Sequence, residues 1–90
     1  MQDVELDEIE NKVKEMISTA TGIELEKIKP EVHLYRDLGV DSIKGIELVV
    51  ALQQKFGLRV DDAKIQELVT PRLIVEEMKR LLAKKKDQHD

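Results

Sequence analysis

The sequence contains no cysteine. That excludes disulfide staples, zinc-thiolate sites and a thiol nucleophile, so a small core must hold without covalent help. The absence fits a reducing compartment. Aromatics amount to one tyrosine and one phenylalanine, too few for the stacking platforms that bind single-stranded nucleic acid. Only two histidines occur, His33 and His89, and neither has a ligand set beside it at metal spacing. Four glycines are scattered at positions 22, 39, 45 and 57, so no glycine-rich loop can cradle a phosphate. No apolar run reaches the roughly 18 residues of a membrane span. The first ten residues carry Asp3, Glu5, Asp7, Glu8 and Glu10 and no base, where a secretory signal would be basic. A soluble cytoplasmic protein is the expectation.

What is present is modest in size. Ninety residues make one small domain, which buries about 60–65% of its unfolded surface. That suffices for one core but not for a deep enclosed cleft. Residues 79–90 hold five bases against two acids, a segment of +3, which leaves −7 on the rest of a chain whose net charge is −4. The basic segment, Lys79, Arg80, Lys84, Lys85 and Lys86, reads as a helix C-terminus stabilised by cations, followed by a solvated end. Residues 1–86 are taken as the domain and 87–90 as a disordered tail.

Four segments have helical spacing. Leu6, Ile9, Val13, Met16, Ile17 and Ala20 recur at three and four, which predicts an amphipathic helix over about residues 3–20, capped by Asp3. Gly22 is free to take the left-handed conformation that ends it. A second helix is predicted from Ser42 to about Lys55, with Asp41 as N-cap and Gly57 as terminator. Leu58-Arg59-Val60 is too short for a strand and reads as a connector. A short third helix is expected from Asp62 to about Leu68. Thr70-Pro71 is a start signal for a last helix, Pro71 to about Lys84, with Ile74, Val75, Met78, Leu81 and Leu82 on its core face. The fold class is therefore all-α: a small four-helix bundle with three longer helices and one short one.

The segment between the first two helices, residues 22–41, is the unusual one. It is longer than the ~12–15 residues that bound most structureless loops. Yet it contains Ile23, Leu25, Ile28, Val32, Leu34, Tyr35 and Leu38. A loop this apolar must lie over the core, with room for a helical turn at Glu24–Lys27.

The second helix carries two apolar stripes. Leu48, Val49, Leu52 and Phe56 form one, and Ile43, Ile46 and Val50 the other. A domain this small can hardly bury both. The first, ending in the only phenylalanine, reads as core; the second is expected to stay exposed beside Ser42, as contact surfaces do.

Chemistry is sparse. A relay between His33 and Ser42 would need an orienting acid and an oxyanion hole, and no glycine elbow flanks the serine. Glu47 reads as a solvated acid or a partner contact rather than a general base. Ser42 itself has three readings: it opens the helix, it is phosphorylated, or it anchors a flexible arm. The first is weakened because Asp41 already supplies the cap. The other two share one physical basis, since a helix N-terminus favours an anion.

Asp37-Leu38-Gly39-Val40-Asp41-Ser42-Ile43, followed by Ile46-Glu47-Leu48, resembles the 4′-phosphopantetheine attachment motif of acyl carrier proteins. The likeness extends over roughly residues 8–83. It implies that a phosphopantetheinyl transferase moves the arm from coenzyme A to Ser42, and that the arm's thiol holds acyl intermediates as thioesters for fatty acid, polyketide or specialised lipid synthesis. It implies that Asp41 takes part in transferase recognition and that the protein catalyses nothing. Ile43, Lys44, Ile46, Glu47 and Val50 become the expected docking residues for acyl-activating, acyltransferase or ketosynthase-type enzymes. A monomer without nucleic-acid or membrane partners is expected. An aminoacyl or peptidyl carrier is the alternative, although such modules more often read Gly-Gly-Asp-Ser and Val40 stands in the second place here; an unmodified helical interaction module is another.

The chain departs from typical fatty-acid carriers, whose second helix is rich in acids. Only Asp41 and Glu47 remain, with Lys44 just after the serine and Gln53, Gln54 and Lys55 at the end. Gly45 lies inside the helix at a cost of about 1 kcal/mol relative to alanine. Its expected use is to let the arm or a partner approach the backbone.

Overall fold

A computed structural model describes residues 2–87 of the protein, with the side chains of residues 8–85. The elements are α1 (Gln2–Thr21), a 3-10 turn (Leu25–Lys27), α2 (Ser42–Phe56), α3 (Asp62–Ile65) and α4 (Pro71–Asp87). There is no strand among the described residues. The helix starts at Gln2, so Asp3 lies inside it; the side chains of Asp3 and Leu6 lie outside the described residues. Of the expected tail, Asp87 is the last helical residue and residues 88–90 lie outside the described residues.

The spacing of apolar residues decides what is buried. Val13 and Ile17 of α1, Leu48, Val49 and Leu52 of α2, and Ile74, Val75 and Met78 of α4 form one core with Val60 and Leu68 from the connectors. Packing α1 against both α2 and α4 closes it. Each fully buried aliphatic side chain contributes ~1.5–3 kcal/mol. The ends of α1 and α4 are locked by hydroxyls. The Thr21 hydroxyl donates to the Ile17 carbonyl at 2.6 Å and accepts the Ile23 N–H at 3.2 Å. Gly22 takes φ +77°, the left-handed turn its position called for. Thr70 accepts the Leu73 N–H at 3.2 Å, which caps α4 behind Pro71.

Apart from its 3-10 turn, the long loop is held by backbone bonds outside regular secondary structure. Ile28, Leu34 and Val40 point into the core. The Pro30 carbonyl accepts the Arg72 N–H at 3.0 Å and the Leu34 N–H donates to the Val69 carbonyl at 2.9 Å. Arg72 also pairs with Glu31. The loop is thereby tied to the start of α4.

Further expectations are corrected. Phe56 is only half-buried, because it is the last residue of α2 and the core is centred on Leu48 and Leu52. α3 ends at Ile65, not Leu68: Glu67 and Leu68 bond back three residues, to the Lys64 and Ile65 carbonyls. That tighter winding turns Leu68 into the core. α4 runs three residues beyond Lys84, and on it Leu81 packs half-buried against the core while Leu82 is half-buried outside it.

Two features bind the far end of the bundle. Gln53 is a clip rather than a surface residue: its Oε1 accepts the Val60 N–H at 2.6 Å, and its backbone carbonyl accepts the N–H of Leu58 at 2.9 Å. Lys85 then donates to the Gly57 carbonyl at 3.0 Å, a cation at the C-terminus of α2. On α4, Glu77 is 4% exposed and is held by Arg80 through two bonds of 3.1 and 2.7 Å. The bond from Arg80 holds the Glu77 carboxyl below its ordinary range, against burial, which pushes it up.

Candidate functional site

The approach to α2 is a turn closed by its own side chains. The Asp37 carboxylate accepts the His33 N–H at 2.9 Å, and the His33 carbonyl accepts the N–H groups of Asp37 and Leu38 at 2.8 and 3.2 Å. His33 Nδ1 accepts the Arg36 N–H at 3.0 Å. The acceptor nitrogen of His33 is thus spent on its own turn, which removes support for a relay to Ser42. Val40 closes the segment: it is buried and its N–H donates to the Leu34 carbonyl at 2.9 Å.

Asp41 follows in extended conformation, φ −84° and ψ 168°, and its Oδ1 accepts the Lys44 N–H at 2.8 Å. Such a cap contributes ~1 kcal/mol. It also releases the next residue from capping. Ser42 is the first helical residue and is exposed. The first intrahelical bond is from the Gly45 N–H to the Asp41 carbonyl, 3.0 Å, so the N–H groups of Ser42 and Ile43 have no partner within the helix. A group esterified to the Ser42 oxygen would stand at the positive end of the helix dipole.

Beside Ser42 the second stripe is open. Ile43, Ile46 and Val50 are 68%, 53% and 41% exposed, whereas Leu48, Val49 and Leu52 are buried. Lys44 and Glu47 flank the stripe and face each other at 3.9 Å, both solvated. Such a pair adds little stability, but it leaves the face close to neutral. A groove of about 320 Å³ lies elsewhere, between α1 and α4, lined by Glu10, Lys14, Ile28, Pro71, Arg72 and Lys79 among others. No residue of α2 borders it.

Gly45 is where the sequence reading was incomplete. It is buried, and what approaches its bare backbone is this chain's own Tyr35. A Cβ at position 45 would stand 3.0 Å from Tyr35 Cζ and 3.1 Å from Cε1, and would overlap the hydroxyl oxygen. Space left by the glycine is therefore filled from the loop. The signal available in the sequence was the pairing of the sole tyrosine with a glycine inside a helix.

The site is thus one exposed serine at the head of a helix in an apolar-cored helical bundle. Comparison with known proteins says which family builds such a junction. Residues 11–78 match the family model described as phosphopantetheine attachment site. The chain is 38% identical over 61 residues to the acyl carrier protein of Nitratidesulfovibrio vulgaris strain DP4, covering 68% of this chain and 80% of that protein. With the acyl carrier protein of strain DSM 19637 / Miyazaki F of the same species the identity is 34% over 61 residues, with the same coverage of 68% and 80%. Among solved structures, the thermally stable acyl carrier protein from Enterococcus faecalis superposes with a TM-score of 0.74 at 26% identity, over 84% of this chain and 96% of that one.

The chain belongs to the acyl carrier protein family, whose members carry a covalently attached 4′-phosphopantetheine and are not enzymes. The residues present fit that group. Asp41 spends one carboxylate oxygen on the cap, Ser42 is exposed, and two helix-head N–H groups are unpartnered within the helix. Family members interact with phosphopantetheinyl transferases and with biosynthetic enzymes. No helix among the described residues is long and apolar enough to cross a membrane.

Proposed function

We propose that Ser42 is the attachment point of the arm and that the protein carries acyl intermediates, in the cytoplasm and as a monomer, for fatty acid, polyketide or specialised lipid synthesis. The observation that carries this reading is the junction itself: an exposed serine hydroxyl, freed from capping by Asp41, at the head of α2. When attached, the arm supplies a terminal thiol for the thioester bond to cargo. The remaining work falls to the chain's own residues.

Asp41 is the recognition residue for the transferase: it is exposed, precedes the serine and commits only one carboxylate oxygen to Lys44. Ile43, Ile46 and Val50 supply an apolar docking face, and Lys44 and Glu47 its charged edges. A partner selected by this face reads shape and apolar contact first, since the ion pair cancels the charge that steers fatty-acid enzymes to acidic carriers. That supports a dedicated pathway over general fatty acid synthesis.

Intact mass spectrometry of the protein from its native host tests the reading. One phosphopantetheinyl mass plus an acyl group on Ser42 is expected. An amino acid or peptide on the arm would make the protein an aminoacyl carrier. A wholly unmodified protein, in a cell whose other carriers are loaded, would make it an interaction module.

A further inference from the structure

We propose that Tyr35 positions the phosphopantetheine arm, its phenolic hydroxyl donating a hydrogen bond to the phosphodiester that joins the arm to Ser42. This rests on the reading of Ser42 as the attachment point.

The hydroxyl end of Tyr35 overlaps the position that a Cβ of Gly45 would take. In a helix the Cα–Cβ direction tilts toward the N-terminus, so the position that the hydroxyl overlaps lies on the Ser42 side of the Gly45 Cα. Residues three apart share a face, their Cβ atoms about 5–6 Å apart. A phosphodiester on the Ser42 oxygen extends into that interval.

The hydroxyl is also available. It has no hydrogen-bond partner among the described residues, and no buried side-chain oxygen or nitrogen among them is left unsatisfied. The Tyr35 oxygen therefore reaches solvent although its ring is half-buried against the core. A donor held at the head of a helix, beside two backbone N–H groups without intrahelical partners, adds to the same anion site.

Finally, the ring is held in place. Leu34, the preceding residue, is bonded through its N–H to Val69 and through its carbonyl to Val40, both at 2.9 Å. His33 packs edge-on against Tyr35 with centroids 6.0 Å apart. Donor groups fixed before the ligand arrives cost no ordering when it does.

The test compares the wild type with Tyr35→Phe, which keeps the ring over Gly45 and removes only the hydroxyl. Both are loaded from coenzyme A by a broad-specificity phosphopantetheinyl transferase, and the mass gain is measured first. Phosphorus NMR of the loaded proteins should show the phosphodiester resonance at different shifts, and the loaded wild type should show cross-peaks between Tyr35 ring protons and the arm methylene next to the phosphate. An identical phosphorus shift in the two proteins, or no such cross-peak in the wild type, overturns the proposal and leaves the Ser42 reading intact. Failure of the wild type to gain mass overturns both.

Discussion

Replacing Gly45 with alanine perturbs a single contact whose cost can be worked out. On an ordinary helix the change removes excess backbone freedom from the unfolded chain and stabilises by about 0.5–1 kcal/mol. Here the new methyl would overlap the Tyr35 hydroxyl and press on Cζ at 3.0 Å. Overpacking of this kind costs about 1–3 kcal/mol. The two effects oppose, and the second is larger, so Gly45→Ala should destabilise by roughly 1 kcal/mol. In a Tyr35→Ala background the obstruction is gone, and the same substitution should stabilise by about 0.5–1 kcal/mol. The sign therefore reverses between backgrounds, a coupling of about 1–3 kcal/mol. Urea denaturation of the four proteins measures it, provided the m-value stays constant. Stabilisation by Gly45→Ala in both backgrounds, with no coupling, would refute the claim that Tyr35 fills the glycine's place.

Other predictions concern the core, acid stability and docking. Leu52→Ala should cost about 2–5 kcal/mol and exceed the cost of Phe56→Ala, because Leu52 is 0% exposed and the phenylalanine only half-buried; the reverse order in chemical denaturation would place the core centre wrongly. Glu77 has a folded pKa below its ordinary carboxylate value, lowered by the bond from Arg80. Its contribution is therefore complete above that value and disappears as pH falls through the lower, folded one. Glu77→Gln should flatten the acid limb of a stability profile, and an unchanged limb would contradict this. Ile46→Glu should slow cargo transfer from a cognate partner several-fold while leaving the unfolding midpoint almost unchanged, since Ile46 is 53% exposed; undiminished transfer would remove Ile46 from the docking face.

Much of this was legible because local signals and burial agree. Thr70-Pro71, Asp41 and Gly22 announce helix ends through chemistry that acts within a few residues. The stripe of Leu48, Val49 and Leu52 follows from helical period alone. What the sequence hid depends on pairs distant along the chain. Gln53 looks like a polar surface residue until Val60 turns back onto it, and Lys85 like a member of a solvated basic end until the Gly57 carbonyl is found beside it. Gly45 looked like an opening for a ligand and is a seat for Tyr35. Phe56 was overestimated because periodicity assigns a face but not a depth along the helix. The cap at the head of α2 was readable because Asp41 and Ser42 are adjacent in the chain; the tyrosine against Gly45 is contributed by a loop whose path no period describes.

If α2 presents Ser42 as the anchor of the arm, removing that one hydroxyl abolishes the modification. Co-expression with a broad-specificity phosphopantetheinyl transferase, followed by intact mass spectrometry of the wild type and Ser42→Ala, tests it most directly. One phosphopantetheinyl mass on the wild type and none on Ser42→Ala, with both proteins folded, is the expected result. A wild type that gains no mass, or a Ser42→Ala variant that does, would contradict it.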